Sequence, residues 1–372
     1  MSDLTDYRTR LNEVDDELSL LFAKRMGIIR EIALFKTVHH LNVFQPGREA
    51  QVISRALQSV KAPEDAPYVK DFFEQLLRIS KECQAAFPTG EAPEDSLPAA
   101  QGPIAFPGAQ GSFSQQAAAG FFGKEQSFCA HETFEGALRA LAEGDAAYAV
   151  LPIENSSAGA VSETYDLLTE YSLFIVGEQV LPVAHQLLGI PGSTLEGITE
   201  VYSHPQALAQ CRDYLAANPH MRKIPSLNTA LAARDVALWK DPRKAAIASS
   251  YAAELYGLAV LKENIHGLLF NTTRFVVVSR DPAPLRDADK ATVTFSLSNE
   301  RGTLARTLSV FADHGVSLSK IESRPIPAKP WEYIFYADFE GPMSEEALQK
   351  ALKAAAPCVS QIRLLGRYGK AK

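Results

Sequence analysis

Apolar residues at the start of the chain recur by threes and fours: Leu4, Tyr7, Leu11, Val14, Leu18, Leu21, Ile28, Ile32 and Phe35. That rhythm is the stripe of a long amphipathic helix with a coiled-coil-like seam. No proline or capping signal interrupts it before His39, so the spacing predicts one helix of about 35 residues, roughly 50 Å long. A helix of that length cannot bury its stripe within a short segment. Two shorter helical patterns follow, near 46–60 and 67–86, and the expectation is an all-α bundle that dimerises.

The pattern then changes. From 104 to 279, short apolar runs alternate with helical patterns: IAF (104–106), AYAVLPI (147–153), FIVGE (174–178), VYS (201–203), AAIAS (245–249) and FVVVS (275–279). Loops rich in Gly, Ser and Asn follow several of them. This predicts an α/β unit with mostly parallel strands and a site at their carboxyl ends. From 290 onward the order reads strand, helix, strand, strand, helix, strand, a ferredoxin-like sequence of elements. Two stretches read as linkers, PTGEAPEDSLPAAQGP (Pro88 to Pro103) and SRDPAPLRDADK (Ser279 to Lys290). The expected domains are 1–90, 103–280 and 290–372.

Composition narrows the function. The 372 residues are 46% hydrophobic and 22% charged, as in soluble globular proteins. The apolar runs are too short for a membrane span, and MSDLTDYRTR lacks the apolar core of a signal peptide. Cys83, Cys129, Cys211 and Cys358 form no CxxC pair and no metal spacing, so a reducing cytoplasm is expected. A net charge of −7 argues against nucleic acid as the main partner. In an acidic chain, cations that gather at one place mark a site for anions.

One such cation breaks the seam of the first helix. Arg25 stands where the rhythm demands Leu or Ile, and a guanidinium there is costly unless an anion compensates it. Lys36 follows 11 residues later, roughly 20° away around the helix, so both can line one pocket. Arg8 lies roughly 25 Å from Arg25 along the axis and cannot reach the same small ligand on one chain. Arg48 and Glu49 open the helix after Pro46, and Ser80 and Gln84 lie four apart on the third. This set holds fixed cations, one carboxylate and neutral donors, with no nucleophile and no metal set. It suits a reaction that needs positioning and charge stabilisation alone. Taken singly, Arg25 also fits a polar residue that sets helix register, and Arg8 fits a solvated surface charge.

Through Arg8, Arg25, Lys36, Arg48–Glu49, Ser80 and Gln84, residues 4–86 resemble the small all-helical chorismate mutase domains. The resemblance implies an intertwined dimer with shared sites. Arg8 from the mate, Arg25 and Arg48 would hold the substrate carboxylates. Lys36 and Gln84 would stabilise charge on the breaking ether oxygen, and Glu49 would take the ring hydroxyl with Ser80 nearby. Gln45 stands where some members carry Asp, and it can still bond the hydroxyl.

In the middle segment, PGAQGSFSQQA can turn at Gly108 and Gly111 into a helix capped by Ser112 or Ser114. No GxGxxG, GxxxxGK[ST] or GxSxG string is present, so neither a nucleotide site nor hydrolase chemistry is supported. GSFS (111–114), PIENS (152–156), SHPQALAQC (203–211), NTA (228–230), YGL (256–258) and NTTRF (271–275) together resemble prephenate dehydratases. That family implies two α/β lobes around a cleft, like type 2 periplasmic binding proteins. It implies Thr273 as the catalyst, donating a proton to the leaving ring hydroxyl while CO2 departs. Glu154, Asn155, Ser156, Ser203, Gln210 and Thr272 match positions implied to lie at the site. Arg274 is a candidate for a substrate carboxylate by charge alone. Taken alone, Thr273 reads as a β-branched residue starting a strand. His266 stands where many relatives carry an acid and reads as a surface-loop histidine. Cys211 reads as a small buried residue.

The tail, 291–368, resembles an ACT domain of the phenylalanine-binding kind through NERGTLA (299–305) and IESRP (321–325). The first string is a strand-to-helix turn that can take a carboxylate. In that family the effector sits between two such domains. This implies effector contacts from Asn299, Gly302, Thr303, Leu304, Glu322, Ser323, Arg324 and Pro325, with Thr303 replacing a common Ala. The other reading is a ferredoxin-like fold used only to oligomerise.

The expected whole has an all-α mutase head, a two-lobed α/β dehydratase and an α+β sensor. It would convert chorismate to prephenate and then to phenylpyruvate under feedback by phenylalanine. No cofactor, metal, nucleic acid or membrane is expected, and the assembly is a homodimer or homotetramer. The rivals are a dehydratase whose head only dimerises, and a non-catalytic small-molecule sensor.

Overall fold

A computed structural model describes residues 4–38, 48–60, 62–85, 97, 99–267, 271–283, 288–298, 300–326, 332–341 and 345–371, with side chains throughout except 33–38, 48–50 and 81–85. The chain divides into two compact units, 1–95 and 96–372.

In the first unit the apolar rhythm forms α1 (Leu4–Val38), the single long helix its spacing predicts. Then come α2 (Arg48–Gln58) and α3 (Ala66–Ala85), the latter after a 3-10 turn at Pro63–Asp65. Ile29 and Leu76 are buried. Much of the stripe is open: Leu4, Tyr7, Leu11, Val14, Leu18 and Leu21 are each 47–62% exposed. So long an open row of large apolar side chains is the mark of a surface that a partner covers.

The second unit begins with β1 (Ile104–Pro107), α4 (Phe113–Phe122), β2 (Phe128–His131), α5 (Phe134–Glu143), β3 (Tyr148–Asn155), β4 (Gly159–Ala160), α6 (Ser162–Glu170) and β5 (Phe174–Pro182). Ser112, one of the two expected caps, accepts from the Gln115 amide at the start of α4. The chain then crosses to a second sheet through β6 (Gln186–Gly189), β7 (Glu200–Ser203), α7 (Pro205–Gln210), α8 (Arg212–Ala216), β8 (Arg222–Pro225), α9 (Thr229–Trp239), β9 (Lys244–Ala248), α10 (Ser250–Tyr256) and β10 (Ala259–Lys262). It returns in β11 (Thr272–Ser279).

The two sheet orders are β2-β1-β3-β11-β5 and β10-β6-β9-β7-β8. They form the two lobes that the resemblance implied. The strands are mixed rather than mostly parallel. β11 comes back from the second lobe and inserts antiparallel between β3 and β5, and β6 runs antiparallel to β9 and β10. The double crossing forces this, because a returning strand enters the first sheet from the opposite end.

The tail forms β12 (Lys290–Leu297), α11 (Thr303–Asp313), β13 (Ser317–Pro325), β14 (Tyr333–Glu340), α12 (Glu345–Ala355) and β15 (Gln361–Tyr368). Its antiparallel sheet, β13-β14-β12-β15, has the ferredoxin-like strand order. The tail has its own core around Phe295, Phe311 and Phe339. It is nonetheless welded to the first lobe. Tyr336, Leu365 and Tyr368 belong to one buried cluster with Leu151, Ile153, Tyr165 and Val276. Arg363 bonds the Leu173 carbonyl at 2.9 Å and lies over the Phe174 ring. At Gly366 a Cβ would overlap the carbonyl oxygen of Ile175, so the close approach requires glycine. Tail and first lobe, on either side of the expected linker before Lys290, thus share a buried cluster.

Candidate functional site

In the head, helix geometry turns Arg25 toward α3. Its Nη1 donates to Ser80 Oγ, and Ser80 Oγ donates to the Leu76 carbonyl at 2.6 Å. Ser80 is buried and Arg25 half-buried, and burial pulls the guanidinium below its ordinary pKa. Among the described residues no carboxylate pairs with Arg25. Two expected site residues 55 positions apart are therefore brought together. Arg8 is exposed on α1, about 25 Å away along the axis. Lys36 falls in the last turn of α1, Arg48 and Glu49 open α2, and Gln84 lies near the end of α3. The side chains of those four, and all of Gln45, lie outside the described residues.

The second cluster is built by the pairing of β3 with β11. Register places Thr273 opposite Asn155 and Arg274 opposite Glu154. Side chains alternate along a strand, so the two pairs face opposite sides of the sheet. On one side, Asn155 Nδ2 donates to Thr273 Oγ1 at 2.9 Å, to Asn271 Oδ1 at 2.8 Å and to the Thr272 carbonyl at 3.2 Å. Asn155 Oδ1 accepts from the amides of Ser157 and Ala158 and from the Ser157 hydroxyl. One amide side chain therefore both shapes the loop and holds Thr273. Because Thr273 Oγ1 accepts from Asn155, its own proton is left to be given elsewhere. Thr273 is only 8% exposed. Ser156 and Thr272 close the loop through reciprocal bonds at 2.9 and 3.0 Å.

This cluster sits at the lobe crossing. Val183 N donates to the Asn271 carbonyl, and Ile265 N to the His185 carbonyl. His185 Nε2 meets Gln210 Oε1 at 2.7 Å, which ties the crossing to the end of α7. Burial lowers the pKa of His185, so the ring is neutral at neutral pH. Its Nδ1, His266 Nδ1 and Asn271 Nδ2 are buried polar atoms with no partner among the described residues. His266 packs edge-on against His185 with ring centroids 6.0 Å apart. It is thus the loop histidine expected, half-buried at the crossing rather than open on the surface. Ser203 is buried and bonds the Ile247 carbonyl at 2.6 Å. Burial pushes the Cys211 thiol up to about 12, so it is no nucleophile. His185 was not singled out from the sequence, because the string VAHQLLG carries no pattern that marks it.

Two expected substrate residues face away. Arg274 bonds Glu154 Oε2 at 3.2 Å, Glu178 Oε2 at 3.2 Å and Asp338 Oδ2 at 2.7 Å, with 11% of its side chain exposed. Burial would lower its pKa, but Asp338 and its other anionic neighbours hold it above the ordinary value. Glu154 also pairs with Lys320 at 2.9 Å. Both residues are thus engaged in ion pairs within the chain. Strand alternation places Arg274 on the opposite side of the sheet from Thr273, where Asp338 arrives from the tail to pair with it.

In the tail, Gly302 adopts φ 78° at the start of α11, and buried Thr303 bonds the Glu300 carbonyl at 3.0 Å. Leu304 follows in the first turn, and Asn299 lies outside the described residues. Glu322, Ser323, Arg324 and Pro325 lie on edge strand β13. Arg324 Nη2 reaches Asp166 of α6 at 2.8 Å. No group of His, Cys, Asp and Glu suited to a metal occurs among the described residues. No helix among them is long and apolar enough to cross a membrane.

Three family models match the chain: chorismate mutase type II over 7–85, prephenate dehydratase over 104–283 and the ACT domain over 291–357. A bifunctional chorismate mutase/prephenate dehydratase of Aquifex aeolicus is 32% identical over 371 residues, covering 100% of this chain and 99% of its own. The structure of a prephenate dehydratase from Arthrobacter aurescens in complex with L-Phe is 33% identical, with a TM-score of 0.64, over 72% of this chain and 90% of that one. A protein described as a novel type of quorum quenching acylase is 35% identical, with a TM-score of 0.66, over 72% and 98% of the two chains.

Proposed function

The chain belongs to the family of bifunctional chorismate mutase/prephenate dehydratases, and on that premise we propose which residues carry its two reactions and its control. The enzyme rearranges chorismate to prephenate, then decarboxylates and dehydrates prephenate to phenylpyruvate, with feedback by phenylalanine through the ACT domain.

In the head, Arg25 and Arg48, with Arg8 of a second copy, hold the two carboxylates of chorismate. Ser80 anchors Arg25 by its hydroxyl, and the half-buried guanidinium lacks an acidic partner among the described residues. Lys36 and Gln84 stabilise negative charge on the ether oxygen as it breaks, and Glu49 and Gln45 take the ring hydroxyl. The reaction is intramolecular, so held geometry and fixed charge are sufficient.

In the dehydratase, the Thr273 proton goes to the leaving ring hydroxyl. The bond to the ring carboxylate breaks, its electron pair enters the ring, and water and CO2 leave. Solvent then reprotonates Thr273. Aromatisation drives the step, so modest acid catalysis suffices. Asn155 orients the hydroxyl, and Gln210, His185 and Asn271 line the same crossing as neutral donors. Glu154 and Arg274 act behind the sheet. The observation that carries this account is the Asn155 amide donating to Thr273 Oγ1 at 2.9 Å.

Phenylalanine binds between two copies of the tail, with the turn Asn299–Leu304 taking its carboxylate and segment 322–325 of edge strand β13 beside it. The functional segments are 1–90, 103–280 and 290–372, the assembly is a homodimer or homotetramer, and the compartment is the cytoplasm. A coupled assay from chorismate to phenylpyruvate, with and without phenylalanine, tests the whole scheme. Residues 1–90 that lacked mutase activity would leave a dehydratase with a head that only dimerises.

A further inference from the structure

Edge strand β13 carries the IESRP string, and alternate residues of it turn toward the first lobe. Lys320 and Arg324 are two of them. Lys320 Nζ lies 2.9 Å from Glu154 Oε1 and 5.7 Å from the centre of the Tyr165 ring. Arg324 bonds Asp166 in α6. Glu154 is the residue immediately before Asn155, and Arg274 is the residue immediately after Thr273. These two bond each other, and Arg274 continues to Asp338 on β14, the strand paired with β13. Asp338 is fixed in turn by the Thr292 hydroxyl at 2.7 Å. Glu178 bridges Arg274 to Lys290 of β12, at 3.2 and 3.0 Å.

Both residues that present the reactive hydroxyl therefore have, as direct chain neighbours, ion-pair partners of the C-terminal sheet. Arg274, Lys290 and Lys320 balance Glu154, Glu178 and Asp338. With Arg274, Glu178, Asp338 and Lys290 each at most 11% exposed, loss of one partner leaves a charge that water does not reach. Lys320 ties β13 to Glu154, and the backbone of β3 joins Glu154 directly to Asn155.

We infer that Lys320 and Asp338 are positioning residues of the dehydratase site. They set the pose of Asn155 and Thr273 through Glu154 and Arg274, and the state of the effector strand reaches the reactive hydroxyl by this route. The inference rests on the roles proposed above for Thr273 and phenylalanine. What supports it is a contiguous chain of ion pairs, and the decisive property is energetic coupling.

The test uses the full-length enzyme with Lys320→Met, which keeps the stem and removes the charge, Lys320→Arg, Glu154→Gln, and Lys320→Met/Glu154→Gln. Mutase turnover of each preparation and its melting temperature report folding. Dehydratase kcat of Lys320→Met falls about tenfold with KM changed less than about threefold. The phenylalanine inhibition midpoint rises about tenfold, while calorimetric affinity for phenylalanine stays within about threefold. Lys320→Arg recovers most of both, and the double variant is no worse than Glu154→Gln alone. Wild-type kcat and inhibition in Lys320→Met would overturn the inference, as would additive losses in the double variant. Loss of phenylalanine binding in step with inhibition would also overturn it, in favour of direct ligand contact. If Thr273→Ala keeps full dehydratase activity, or the wild type ignores phenylalanine, the functional reading fails instead, and the kcat arm still decides whether Lys320 acts through Glu154.

Discussion

Arg25 and Arg274 are both guanidinium groups withdrawn from water, and they are kept in different company. Arg25 has a serine hydroxyl and, among the described residues, no acid. Arg274 has Glu154, Glu178 and Asp338. Burial lowers the pKa of the first, while Asp338 and its other anionic neighbours raise that of the second. On the roles proposed above, a cation with no acid among the described residues serves a ligand that brings one. A cation wrapped in the protein's own carboxylates serves the architecture. In the sequence a break in the apolar repeat marks Arg25 and charge alone marks Arg274, and only their partners separate the roles. The same contrast runs through the units that hold them. The head leaves its apolar stripe open, whereas the first lobe and the tail close theirs into a shared core and the second lobe buries its own.

The contrast between the two arginines, and between the units that hold them, is open to test at several points. The largest effect is expected from Thr273→Ala, which should lower dehydratase kcat about 10³-fold in single-substrate assays and leave mutase turnover unchanged. A loss below tenfold would remove Thr273 from the proton transfer. Next, Arg25→Leu should lower mutase kcat/KM about 10²-fold, because the carboxylate contact is lost in ground and transition states alike. The same change should leave the melting temperature equal or higher, since Leu fills the seam without a buried charge. Opposite signs in activity and stability would mark a ligand-binding arginine, and a fall in both would make Arg25 structural like Arg274.

A smaller effect is expected from Leu18→Asp. Sedimentation should show the dissociation constant of the assembly rise about 10- to 100-fold, with mutase activity falling on dilution and dehydratase activity spared. Unchanged assembly would mean that the exposed stripe is not a contact between copies. The smallest effect concerns pH. Burial works against the ionised form of Glu154, yet Lys320 and Arg274 outweigh it and hold its pKa below the usual 4.5. Its contribution to stability is therefore full above pH 4.5 and is lost as pH falls through the lowered folded value. Melting curves of wild type and Glu154→Gln should run parallel from pH 7 to about 5 and converge below it. With 36% of the Glu154 side chain exposed, solvent screening keeps the gap small. A gap that persists unchanged to pH 3 would show that the charge of Glu154 contributes nothing.

Much of the architecture is legible in the spacing of apolar residues. The 35-residue helix, the strand runs and the order of the tail's elements follow from periodicity, because a repeat of three to four or of two places apolar groups on one face whatever the partner. Arg25 stands out as a fault in that repeat, and Thr273 through the strings around it. His185 does not, because a lone histidine carries no periodicity and owes its place to the lobe crossing; Asn271 lies in the NTTRF string but takes no role from it. The parallel bias expected of the middle strands failed for a related reason: strand direction depends on how the chain returns, and local composition does not record that.

By itself the amino-acid order determined where helices and strands begin, which faces are oily, and which polar residues interrupt them. Those are properties of neighbours a few positions apart. Tertiary structure alone decided that Thr273 and Arg274, adjacent in the chain, serve opposite sides of a sheet, and that Asp338, 64 residues beyond Arg274, completes the charge behind Thr273. Contacts of that kind depend on strand register and on one fold docking against another. Both are set by the packing of the whole body, and no short window of sequence contains them.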